Sequence, residues 1–140
     1  MRRYAGAALG LAIALAVASG CGGGSGPPAP PARHDISDGE LQAMLSDGAP
    51  LVVLDVRTAG DYESGHIPGS VNIPVADLPD RIPQLDQHTR TVCVCWSGAR
   101  SRTAADLLVT NGFTGVYNLE DGLSTWDGAW ESGCPVCSSA

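Results

Sequence analysis

The residues best equipped for chemistry lie between Thr91 and Arg102, in the stretch T-V-C-V-C-W-S-G-A-R-S-R. A short apolar run, Val92 to Val94, stops at Cys95, and Trp96, Ser97, Gly98, Ala99 and Arg100 follow. The pattern predicts a strand with a thiol at its C-terminal tip, a tight loop, and a helix opening at Ser101. Backbone N–H groups converging from Trp96 to Arg100, the helix N-terminus and the Arg100 guanidinium would all favour a thiolate over a thiol. Gly98 lets such a loop curl without a Cβ clash. A free thiol titrates near ~8.5, so this setting would turn Cys95 into a nucleophile at neutral pH.

The elements needed to hold that loop can be read on either side of it. Ser37-Asp38-Gly39-Glu40 is a capping-box pattern opening a helix that carries Leu41, Met44 and Leu45 and stops at Asp47-Gly48. Leu51 to Leu54 is a short continuous apolar run, suited to a strand buried on both faces, and it leads into Asp55-Val56-Arg57. Val71 to Ile73 and Val116 to Asn118 are two further short strands. Asp77 to Leu85 is weakly helical, with Pro79 tolerated in a first turn and Pro83 closing it. Ser101 to Asn111 is a helix with Ala104, Ala105, Leu107 and Leu108 inward, and Gly122 opens a last helical segment with Leu123, Trp126 and Trp130. Short apolar strands alternating with helices predict an α/β fold: an open parallel sheet covered on both faces, with ligands at the carboxyl ends of its strands. Cys95 and the Asp55–Arg57 segment both fall at such ends.

The two ends of the chain read differently. Arg2 and Arg3 precede an apolar stretch, Ala5 to Ala18, too short for a membrane-spanning helix, and residues 1–20 are expected to be a secretory signal. Ala18-Ser19-Gly20-Cys21 resembles a bacterial lipobox, with Cys21 as the lipidated residue; Ala18 stands where that pattern most often has Leu. Residues 21–34 include G-G-G-S-G-P-P-A-P-P, a tether that cannot form a core. The expectation is an extracytoplasmic domain, residues 35–137, lipid-anchored to a bacterial membrane. All 8 basic residues are arginine; without Arg2 and Arg3, six remain against 15 acids, a balance of −9 that argues against a nucleic-acid partner.

With these residues in hand the chain resembles the rhodanese family in its single-domain form. L-D-V-R-T at 54–58, Asp61-Tyr62 with G-H-I-P-G-S-V-N-I-P at 65–74, C-W-S-G-A-R-S at 95–101 and G-F-T-G-V-Y-N-L-E-D-G-L at 112–123 with Trp126 match that family's motifs in order. The resemblance implies a five-stranded parallel sheet between helices and a six-residue loop, C-x-x-G-x-R. It further implies a sulfurtransferase in which Cys95 takes sulfane sulfur from an anionic donor such as thiosulfate. The Cys95 persulfide then passes that sulfur to a thiol or to cyanide. On this reading Cys95 is catalytic, Trp96, Ser97, Gly98, Ala99, Arg100 and Arg57 bind substrate, Asp55 supports them, and Arg100 also braces the loop; no cofactor is implied. Trp96 departs from the Arg common at its position, and Trp126 to Gly133 looks about one helical turn longer than usual.

Other readings stand beside this one. Cysteine phosphatases use a loop one residue longer, whereas here Arg100 is five positions after Cys95; the shorter cradle disfavours phosphate. A rhodanese-like module that carries sulfur or binds a partner without turnover is an alternative. So is a thiol–disulfide oxidoreductase using Cys134 and Cys137, although their place near the C-terminus favours a local disulfide over a redox role. Cys93, on the same strand face as Cys95, reads as a buried thiol. Asp55 is expected to bond loop backbone or an arginine, and Arg57 to line the pocket or pair with an acid. His66 reads as a turn histidine with a local hydrogen bond, and His34 and His88 as surface residues. No metal-site spacing is present.

Overall fold

The computed structural model describes residues 32–133. The expected signal, Cys21, and the Cys134/Cys137 pair lie outside the described residues. Five parallel strands form one sheet: β1 (His34–Ile36), β2 (Leu51–Asp55), β3 (Val71–Asn72), β4 (Arg90–Val94) and β5 (Val116–Leu119), in the order β1-β5-β4-β2-β3. The helices are α1 (Asp38–Ser46), α2 (Ala59–Ser64), α3 (Leu78–Arg81) and α4 (Ala99–Thr110). This is the α/β architecture expected from the alternating pattern.

Residue alternation along β4 divides the core. Val92 and Val94 face a cluster with Ile36, Leu41, Val53 and Trp126, while Cys93 and Cys95 face the other, with Leu54, Val56, Ala104, Ala105 and Leu108. Successive side chains on a strand point to opposite faces, so both faces of a central strand must be apolar. Burial of both faces holds β4 rigid, and Cys95 is the first residue beyond its end.

The capping box at the start of α1 forms as expected: Ser37 Oγ accepts from Glu40 N, and Glu40 Oε2 accepts from Ser37 N. Of its expected apolar face Leu41 is fully buried, Met44 partly, and Leu45 is exposed. Two elements were not expected from composition. β1 is three residues long with only Ile36 buried, and it exists through parallel pairing of Asp35 with Asn118 and Ile36 with Leu119. α2 is capped by Thr58 and buries only Tyr62.

Two expectations are corrected. α4 starts at Ala99 rather than Ser101, because Gly98 takes a left-handed φ of 79° as its N-cap and turns the chain into the helix two residues sooner. The last helical segment is a single 3-10 turn, Gly122–Ser124. The chain then folds back over the Trp126 indole, whose Nε1 donates to the Ala129 carbonyl at 3.1 Å. A Cβ on Gly128 would fall 2.3 Å from that ring. Residues beyond it run extended: Glu131 bridges His66 through two 2.8 Å backbone hydrogen bonds, and Trp130 is exposed.

Candidate active site

The carboxyl ends of β2 and β4 lie side by side. Val56 N donates to the Val94 carbonyl at 3.0 Å, which sets Arg57 beside the start of the Cys95 loop. The loop is fixed from below: the Cys95 carbonyl accepts from Leu123 N at 2.8 Å and the Trp96 carbonyl from Ser124 N at 2.9 Å. Such close backbone approach requires glycine on both sides. A Cβ on Gly98 would lie 1.9 Å from the Glu120 carbonyl oxygen, and one on Gly122 would lie 2.5 Å from the Trp96 carbonyl oxygen; both have positive φ.

Cys95 is fully buried and free, as is Cys93. Its Sγ is 3.4 Å from Ser101 N and 3.4 Å from Ser101 Oγ. Burial is the largest single influence and pushes the thiol up. The Ser101 hydroxyl and the N–H groups of Ser101, Ser97 and Arg100 act in the opposite direction, and together they leave Cys95 below the ordinary thiol value. Cys93, two residues earlier and with no such donors, is pushed up to about 12 by burial and by the neighbouring Cys95. Two buried thiols two residues apart, Cys93 in β4 and Cys95 just beyond its end, thus have opposed properties, and only the one inside the loop is suited to act as a nucleophile.

The expected binding residues separate into three groups. Ser97, Gly98 and Ala99 form the loop and the helix start around the sulfur. Arg57 and Trp96 line a cavity of about 490 Å³ together with Asp61, Ser64, Gly65, Trp130, Glu131 and Ser132. Arg57 fulfils both roles considered for it: it lines this cavity, and its Nε and Nη2 bond the Asp55 carboxylate at 2.6–3.1 Å, with Nη2 also 2.6 Å from the Gly65 carbonyl. Asp55 also accepts from the Arg57 backbone N–H at 3.0 Å, so it bonds both an arginine side chain and the backbone that follows β2. Arg100 stands apart. It is exposed in the first turn of α4, and among the described residues its guanidinium makes no hydrogen bond or ion pair, so the loop is braced by Leu123 and Ser124 instead.

Three residues outside the expected set belong to the site. Ser101 supplies two groups within reach of the sulfur, and its hydroxyl lies 2.7 Å from Asn118 Oδ1. Asn118 Nδ2 in turn donates to Asp35 Oδ1 at 2.8 Å. Ser101 was readable as the residue closing the loop motif; Asn118 and Asp35 come near it only through strand pairing. His66 keeps its local bond, Nδ1 to the Tyr62 carbonyl at 2.7 Å, and stacks on the Tyr62 ring. His34 and His88 are exposed.

A parallel five-stranded sheet with a buried, anion-stabilised cysteine at the carboxyl end of its central strand defines an α/β cysteine-loop protein. A family model for the rhodanese-like domain matches residues 37–129. Proteins called thiosulfate sulfurtransferase GlpE are similar to the chain; the one from Pseudomonas savastanoi is 39% identical over 87 residues, covering 62% of this chain and 80% of that protein. A putative sulfur carrier protein, YrkF, from Bacillus subtilis is 38% identical over 81 residues, 58% of this chain and 44% of that one, so the chain spans less than half of that relative. Among solved structures, a rhodanese-like domain protein from Staphylococcus aureus superposes with a TM-score of 0.67 at 29% identity, covering 72% of this chain and 99% of that one. The chain belongs to the rhodanese-like sulfurtransferase family.

Proposed function

We propose that the protein is a sulfurtransferase that works through a persulfide on Cys95. The observation that carries this reading is the Cys95 sulfur itself: buried, free, and held below the ordinary thiol value by loop and helix donors. In the first step the Cys95 thiolate attacks the outer sulfur of a donor such as thiosulfate. An S–S bond forms, the donor's S–S bond breaks, and sulfite leaves with the electron pair. In the second step an acceptor, a thiolate or cyanide, attacks the outer sulfur of the persulfide and returns Cys95 as thiolate. Neither step needs a proton to be moved by a side chain, which suits a site with no histidine on the sulfur. The loop N–H groups stabilise the anion at the start and end of each cycle.

The cavity beside the loop, walled by Trp96 and Trp130, is where the body of the donor or acceptor would rest. The similarity to a putative sulfur carrier favours a second reading, in which the persulfide is handed to a dedicated partner rather than to a free small molecule. On sequence grounds we place the domain outside the cytoplasm, tethered through a lipidated Cys21. Thiocyanate formation from thiosulfate and cyanide tests the enzymatic reading: it is expected with the full chain and absent in Cys95→Ser. Formation of the persulfide without turnover on cyanide or small thiols would favour the carrier.

A further inference from the structure

The Ser101 hydroxyl has one proton and three acceptors within reach. Its Oγ is 2.7 Å from Asn118 Oδ1, 3.1 Å from the Gly98 carbonyl oxygen and 3.4 Å from Cys95 Sγ. Which of them receives the proton depends on how the Asn118 amide is turned. An amide presents either a carbonyl oxygen or an NH₂ group. Here the choice is imposed from the far side, because Asn118 Nδ2 lies 2.8 Å from Asp35 Oδ1, and a carboxylate can only accept. Asp35 is kept ionised. The Asn118 bond is the largest influence and holds its pKa low; burial, next in size, acts against it, and the Arg33 hydrogen bonds and the charges of Arg33 and Arg102 of α4 add to the lowering. Asn118 is fully buried and Asp35 pairs with it across β1 and β5, so the amide is not free to turn over.

We propose that Asp35, acting through Asn118, draws the Ser101 hydroxyl proton away from Cys95 and so restrains ionisation of that thiol. The resting arrangement is then continuous. While Cys95 is a thiol, its S–H faces a lone pair of Ser101 Oγ, Ser101 O–H donates to Asn118 Oδ1, and Asn118 N–H donates to Asp35; the hydroxyl lowers the thiol pKa only when it turns to the sulfur. A Cys95 thiolate breaks the pattern: it is stabilised fully only if Ser101 swings its proton to the sulfur and leaves Asn118 Oδ1 unpaired in a buried place. Asn118 and Asp35 are therefore positioning residues that set how readily the nucleophile forms. They oppose the loop N–H groups of Ser97, Arg100 and Ser101, which favour the anion whatever the hydroxyl does. The other titratable group on the sulfur's side of β4 is Cys93, which stays protonated through neutral pH.

Ionisation of Cys95 can be measured apart from sulfur transfer. In the full chain, the rate of iodoacetamide alkylation at Cys95, followed by peptide mass spectrometry across pH, reports the thiol pKa directly. Asp35 is exposed on an edge strand, so its substitution spares the core. In Asp35→Ala the amide of Asn118 can turn, offer N–H to Ser101 and release the hydroxyl to the sulfur. The expected result is a fall of about half to one pH unit in the alkylation pKa. Asp35→Asn removes the same charge but keeps an acceptor for Asn118, and is expected to stay close to the unsubstituted protein. In a Ser101→Ala background the Asp35→Ala shift should vanish. The proposal is overturned if Asp35→Ala leaves the pKa unchanged or raises it, if Asp35→Asn lowers it equally, or if the shift survives without the Ser101 hydroxyl.

Discussion

Asp55 and Arg57 lock each other in place beneath the cavity: the carboxylate, fully buried, takes two bonds from Arg57 Nε, one from Nη2 and one from the Arg57 backbone N–H. The cavity's cation is thereby neutralised from behind. Removing one member strands the other's charge in the interior. Asp55→Ala should lower stability by about 3–5 kcal/mol, seen as a reduced urea midpoint with an unchanged slope. A loss within 1 kcal/mol (about the size expected for an exposed pair) would mean that the pair is not buried as described.

Gly98 is where the loop, the helix start and the Glu120 carbonyl converge. Gly98→Ala places a methyl group 1.9 Å from a backbone oxygen at a φ of 79°. A left-handed non-glycine residue and a forced backbone shift together should cost roughly 2–4 kcal/mol. The same shift moves the N–H groups away from the sulfur, so thiosulfate–cyanide turnover should fall further than stability alone accounts for. Activity assays on the folded fraction check this.

Cys93 in β4 and Cys95 just beyond it predict a selective alkylation pattern. Cys95 is lowered and Cys93 is pushed up to about 12. The thiolate is the reactive form, so Cys95 alkylation should rise with pH and level off below the ordinary thiol pKa of ~8.5, and should fall about tenfold per unit on the acid side. Cys93 should stay unmodified until the protein is unfolded. Equal labelling of the two in native protein would remove the assigned difference.

Trp96 gives the cavity lining an uncharged aromatic wall beside the Cys95 loop. Arg57, the only cation among the described lining residues, is tied to Asp55, while Asp61 and Glu131 contribute carboxylates. A dianionic donor therefore meets little net attraction there. Trp96→Arg should raise kcat/KM for thiosulfate about three- to tenfold at low salt, and the gain should shrink as ionic strength rises. An unchanged value at low salt would show that Trp96 does not govern donor choice.

What was legible in the sequence follows the physics of burial. Leu51–Leu54 and Val92–Val94 announce themselves because a central parallel strand must be apolar on both faces, and each then points to the chemistry just beyond its end. β1 carries a histidine and an aspartate in three residues, and nothing short of its pairing with β5 makes it a strand. α2 has a glycine inside it and one buried side chain, too little for a periodic signal. The bracing expected of Arg100 has no hydrogen bond behind it among the described residues, where its guanidinium is exposed in the first turn of α4; its expected part in substrate binding is a separate matter. The Asp35–Asn118–Ser101 line joins residues up to 83 positions apart through sheet register, which local pattern does not encode. The loop itself was visible from the count between Cys95 and Arg100, although its support comes from Leu123 and Ser124.

The central claim is that Cys95 carries the transferred sulfur, and intact mass spectrometry after incubation of the reduced full chain with thiosulfate tests it most directly. The account predicts a gain of about 32 Da, one sulfur atom, mapped to Cys95, removed on adding cyanide and absent in Cys95→Ser. No mass change with thiosulfate or with other sulfane donors, or a sulfur atom found on another cysteine with Cys95 unmodified, would contradict it.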